Sequence, residues 1–124
     1  MDIINRQNVP AFTTKDTSTI REILAPRNSS IVQQSLAEAT LRPGAKTEAH
    51  FHPKTEEIYY VLAGTGRMAI EGELRQVCVG DGIAIPAGKR HQILNSGAED
   101  LVFLCCCVPA YTDEDTKFCD PLIP

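Results

Sequence analysis

Apolar and polar residues alternate along this chain in short bursts, each closed by a turn former. The bursts cover 58–62, 67–71, 83–86 and 101–108 and are rich in β-branched and aromatic side chains. Pro43 with Gly44, Gly64, Gly72, Gly80, Pro86 and Gly97 punctuate the intervals. A period of two over four to eight residues predicts half-buried strands, and many such strands at short spacing predict a sandwich or barrel. Helical spacing fits only 15–24 and 31–41, and there Pro26 and the alternation from Ile31 to Leu36 favour strand or coil. With no internal repeat, linker or low-complexity tract, the chain reads as one all-β domain over 1–124 with little or no helix. The polar first dozen residues, 1–12, are expected to form a loose arm or an edge strand. The polar tail, 111–124, is expected to wrap the outside.

Composition narrows the function classes. A chain of 124 residues buries roughly two-thirds of its unfolded surface, so folding requires neither disulfides nor a partner. Twelve Lys plus Arg against sixteen Asp plus Glu leave a net charge of −4. That balance lacks the basic stripe a nucleic-acid binder needs and disfavours docking on anionic lipid. The longest apolar run, 101–108, has eight residues, far short of the roughly 20 a membrane helix requires. The start shows no basic segment followed by an apolar one, so no secretion signal is expected. Five cysteines, three of them consecutive at Cys105, Cys106 and Cys107, do not make a disulfide framework. These features together predict a cytoplasmic protein. Small, easily buried cysteines suit a tightly packed strand, so core filling is the reading of this run, with redox sensing or metal ligation as the lesser one.

The three histidines carry the candidate chemistry. His50 and His52 are two apart, so on a strand they point to one face with Cα atoms about 6.5–7 Å apart. Two imidazoles so placed can converge on one ion at about 2.0–2.1 Å. Glu57 shares its face with Tyr59 and Val61, while Ile58, Tyr60 and Leu62 face the other way. A carboxylate at the head of an apolar strand is costly to bury unless a positive group meets it. His91 heads a further strand after the turn at Pro86 and Gly88. On spacing alone, a metal pair and ordinary hydrogen-bonded histidines remain equally good readings.

The spacing Gly44, His50, His52, Glu57, Gly64, followed after 15 residues by Gly80, Pro86, Gly88, His91, Asn95, resembles the two conserved motifs of the cupin family at each fixed position. The motifs span 44–64 and 80–95. The stretches at 20–27 and 103–116 are similar to a subgroup of small bacterial single-domain cupins. The resemblance implies a double-stranded β-helix, or jelly-roll barrel, holding a divalent metal through His50, His52, Glu57 and His91. The same ligand set serves Mn, Fe, Co, Ni and Zn. It further implies a homodimer, with the edge near 20–24 covered by a partner. Asn95 is expected to serve a turn or bond the backbone, and Glu56 to be solvated.

Around such a metal, Tyr59, Val61, Ile93 and Met68 are the expected substrate pocket. Tyr59 and Glu48 are the candidate catalytic groups, Tyr59 as a hydrogen-bond donor and Glu48 as a base. The functional reading is a metalloenzyme acting on a small oxygen-rich substrate, either a dioxygenase or a lyase or isomerase working by metal-polarised proton transfer. The alternative is a non-catalytic module binding a sugar or acid, its metal structural or anchoring. A metal-free carbohydrate epimerase is a third reading, and the intact quartet speaks against it. Fold and motif do not fix the reaction.

Overall fold

The alternation in β5 (Glu56–Ala63) shows how the sequence closes the barrel. Glu57, Tyr59 and Val61 turn inward, and Ile58, Tyr60 and Leu62 stay exposed. In the computed structural model, which describes residues 1–124, β5 lies beside β10 (Leu101–Val108), and β10 pairs on its other edge with β3 (Ser35–Leu41). The register sets Phe103 between Val61 and Ala39, Cys105 between Tyr59 and Ala37, and Cys107 between Glu57 and Ser35. Small residues on β3 thus make room for the large inward side chains of β5. Completing this sheet are β1 (Phe12–Thr13), β2 (Thr19–Leu24) and β8 (Gly82–Ile85), in the order β1-β2-β3-β10-β5-β8.

The second antiparallel sheet runs β11 (Lys117–Phe118), β4 (His50–Phe51), β9 (His91–Asn95), β6 (Thr65–Ile70), β7 (Glu73–Cys78). The two sheets form a jelly-roll around one apolar core that includes Val61, Met68, Ile93, Leu101 and Phe103. Each such side chain, fully withdrawn from water, contributes about 1.5–3 kcal/mol. The only helical element is a single 3-10 turn, Arg6–Asn8. Asn95, buried at the end of β9, donates to the carbonyls of Leu41 and Glu99 and accepts from Gly97 N–H. Gly64, between β5 and β6, has φ +82°, and a Cβ there would stand 2.5 Å from the Asp100 carbonyl oxygen. Only glycine fits that crossing.

Two segments differ from expectation. The strand β7 has a polar sequence with nearly every residue exposed, because it is the outer edge of its sheet and needs no alternating face. The tail is more than a wrap. It forms β11 against β4 and buries Thr116 and Ile123. The cause is Gln92, buried on β9, whose side-chain oxygen accepts from Leu122 and Ile123 N–H and whose amide donates to Thr47 O. A buried amide must find partners, and the tail supplies them.

Candidate metal centre

Sheet pairing brings the four polar residues together. His50 on β4 lies directly opposite His91 on β9, His52 follows β4 by one residue, and Glu57 enters from β5 in the facing sheet. All four side chains are buried, and one ligand atom from each lies within 4.8 Å of the others. The ring centroids of His50 and His91 are 4.3 Å apart, and those of His50 and His52 5.0 Å.

Each imidazole is oriented by a main-chain carbonyl. Nδ1 of His50 meets Glu48 O at 2.7 Å, Nδ1 of His52 meets Asp115 O at 3.1 Å, and Nδ1 of His91 meets Lys89 O at 2.9 Å. A carbonyl only accepts, so each Nδ1 carries the proton and each Nε2 presents its lone pair inward. This is the arrangement that fixes metal-binding histidines. Glu57 Oε1 lies 2.9 Å from His52 Nε2 and 3.2 Å from His91 Nε2. Yet Glu57 Oε1 and His91 Nε2 are buried without a hydrogen-bond partner of proper geometry. Lone pairs this close require a proton or a cation between them. One divalent ion satisfies all four donors at once, and three imidazole nitrogens with one carboxylate oxygen suit a transition metal. The residues therefore fit the metal that the sequence pattern implies.

Electrostatics follow from burial. It pushes the His50 imidazole down to about 4, and His91 adds to the shift. At His52 burial is outweighed by the Glu57 carboxylate, and the imidazole is raised above its ordinary value. Burial alone would raise Glu57, but the facing His52 and His91 hold it well below the carboxylate range. The other carboxylate oxygen, Oε2, accepts from the Cys107 thiol at 3.2 Å. Burial pushes that thiol up, the Glu57 charge beside it adds to the rise, and it stays protonated.

A cavity of about 40 Å³ opens beside the quartet. Tyr59 lines it, 2% exposed, with its hydroxyl free of any protein partner. Burial first and Glu57 second raise that phenol well above its ordinary value. Glu48 is not in the cavity. Strand alternation breaks between Ala49 and His50, both buried, because 44–49 is not a regular strand. Glu48 therefore points into solvent and serves the site only through its carbonyl. Val61, Ile93 and Met68 also fall outside the cavity wall and belong to the core. They share a face with the ligands but lie farther along their strands, where Phe103 and Leu101 fill the interior. The wall is made instead by residues no motif marked, among them Asp16, Ala37, Cys105 and Tyr111. Asp16 Oδ2 reaches to 3.7 Å from His50 Nε2. Its one sequence signal is the turn-forming run Thr14, Asp16, Ser18, remote from either motif.

Comparison with known proteins agrees with this geometry. The family model described as Cupin domain matches residues 37–107, more than half of the chain. The uncharacterized protein MJ1618 of Methanocaldococcus jannaschii is 46% identical over 109 residues, 88% of this chain and 87% of its own length. An oxalate-binding protein of Thermotoga maritima is 37% identical over 68 residues, 55% of this chain and 56% of that protein. Among solved structures, the polyketide cyclase RemF of Streptomyces resistomycificus superposes with a TM-score of 0.77 at 23% identity, covering 93% of this chain and 89% of that one. At that identity the likeness is one of fold. The segment matched by the family model holds all four converging donors, and on this match the chain belongs to the cupin family.

Proposed function

We propose that this cupin is a divalent-metal-dependent enzyme acting on a small oxygen-rich molecule by proton transfer, of the lyase or isomerase kind. The observation that carries the reading is a set of four buried, converging donors, two of which, Glu57 Oε1 and His91 Nε2, have no hydrogen-bond partner. When bound, the metal would act as a Lewis acid on a chelating carbonyl or carboxyl oxygen. His50, His52, Glu57 and His91 would hold it, kept in place by the Nδ1 contacts to main-chain carbonyls. Ile20, Ala39 and Phe103 line the cavity with apolar surface and keep bulk water from the reacting oxygen. Tyr59, protonated at neutral pH, donates its free O–H to that oxygen. Proton transfer is preferred to dioxygen insertion because the Tyr59 hydroxyl and the Asp16 carboxylate both border the cavity, a hydrogen-bond donor and an acceptor beside the reacting oxygen.

The cavity is small, on the scale of a few waters at about 10–15 Å³ each, so the substrate is a short keto or hydroxy compound. The test is a screen of metal-loaded protein against keto acids, diketones and sugar acids, with and without oxygen. Turnover that disappears in Tyr59→Phe supports the proposal, and inertness toward all of them contradicts it. The second reading, a non-catalytic binding module, draws support from the relative named as oxalate-binding. It predicts a bound acid or sugar recovered unchanged. A homodimer belongs to the same proposal; the edge expected at 20–24 is covered within the chain only at its start, where β1 pairs with Thr19 and Ile20, and sedimentation at micromolar concentration tests whether a partner covers the rest.

A further inference from the structure

Asp16 sits in the loop of residues 14–18 between β1 and β2. Its Oδ1 accepts from Thr14 Oγ1 at 2.5 Å, Ser18 Oγ at 2.6 Å and Ser18 N–H at 3.1 Å. Its Oδ2 accepts nothing and lies 3.7 Å from His50 Nε2. The loop is fastened to the irregular segment 44–49 that leads into His50, since Glu48 N–H donates to Asp16 O at 2.8 Å and Thr17 Oγ1 to Lys46 O at 3.4 Å. Thr17 is held at φ +74°, a conformation that β-branched residues rarely adopt. The fold thus fixes a carboxylate with one oxygen engaged and one free. Tyr59, 2% exposed, lines the same cavity and makes no hydrogen bond within the protein through its hydroxyl.

Charge decides what fits between them. No Lys or Arg lines the cavity, and Glu22, the remaining carboxylate on its wall, is paired with Arg27. A divalent ion is neutralised by Glu57 and Asp16 together. A dianionic ligand would then bring two uncompensated charges into a buried space, at high cost. A neutral ligand brings none, and an O–H or N–H on it meets Asp16 Oδ2 in a charge-assisted hydrogen bond.

We infer that Asp16 sets the ligand selectivity of this site, favouring a neutral hydroxy-carbonyl compound that donates to its free oxygen and disfavouring small dicarboxylate dianions. The inference rests on the metal-centre reading above and names the class of molecule that centre takes. Under it, this chain differs in preference from a protein that binds oxalate.

The test uses full-length protein loaded with Co²⁺ and titrated at pH 7.5 with oxalate and, separately, with dihydroxyacetone, following the cobalt visible absorption. Asp16→Asn keeps the Oδ1 acceptor and removes the charge. Asp16→Ser keeps a turn-forming oxygen and serves as a second uncharged variant. Both variants are expected to bind oxalate about tenfold more tightly than the wild type and dihydroxyacetone severalfold less tightly, and to hold cobalt about tenfold more weakly because the same charge helps neutralise the ion, so all three proteins are titrated at saturating cobalt. Full cobalt loading with both ligand affinities unmoved would overturn the role of Asp16 alone. Failure of the wild type to take up cobalt would overturn the metal centre itself and this inference with it.

Discussion

His50 tests whether burial governs the chemistry of the site. It is 1% exposed, and that burial, with His91 second, lowers its imidazole from 6.5 to about 4. Between those two values the unfolded chain is protonated at this residue and the folded one is not, so the unfolded state binds more protons. Stability in metal-free protein therefore falls as pH drops from 6.5 toward 4, and this contribution is constant above and below that window. At about 1.36 kcal/mol per pH unit the full effect is about 3 kcal/mol, most of it lost by pH 4.5. That is a large share of a typical stability of about 5–15 kcal/mol.

His52 opposes this trend. Its raised value gives stability that is complete below the ordinary histidine range and lost as pH rises through the folded value. The lowered Glu57 gives stability that is complete above the ordinary carboxylate range, and the loss comes only at more acid pH. The comparison with His50→Gln, which cannot titrate, isolates the His50 contribution. Urea unfolding of chelator-treated protein at pH 7.5 and 4.5 should show the wild type losing about 2–3 kcal/mol more than His50→Gln. Equal losses in the two proteins would refute the claim that burial of this imidazole is what shifts it.

Gly64→Ala should be strongly destabilising, by about 2–4 kcal/mol, since it combines φ +82° with a Cβ at 2.5 Å from Asp100 O; thermal melting reads it. Cys107→Ala removes the donor to Glu57 Oε2 and should weaken metal affinity by about 10–100-fold, whereas Cys107→Ser keeps a donor and most of the affinity. Equal affinities in the two variants would show that the thiol only fills space. Native Cys107, buried and raised well above the ordinary thiol range, should resist alkylation under conditions that modify the exposed Cys78.

The barrel was legible because it depends on the period of the strands, and the four candidate ligands were legible through the resemblance to the cupin motifs, since spacing alone left the histidines open. In β5, Glu57, Tyr59 and Val61 fall inward by simple alternation, and the spacing of the histidines survives on short strands fixed by turns. What alternation could not show was depth along a strand. Val61, Ile93 and Met68 share the right face, but burial by Phe103 and Leu101 makes them core, while Glu48 lies where the strand is irregular. The edge strand β7 carries no two-faced pattern because both its faces meet water. Asp16 and Tyr111 reach the cavity from opposite ends of the chain through tertiary packing, which local pattern does not encode. The tail resembled a surface wrap until its contacts with Gln92 were visible.

The most direct test of the account is metal binding itself, by equilibrium dialysis with elemental analysis at pH 8 and pH 5. The account expects one transition-metal ion per chain at pH 8, held through neutral imidazoles, and a steep loss of affinity below about pH 6 as they protonate. It also expects the ion to be lost at pH 8 in His52→Ala and in Glu57→Gln. Equal affinity at the two pH values, or an ion retained after both substitutions, would contradict a centre built from three histidines and one glutamate.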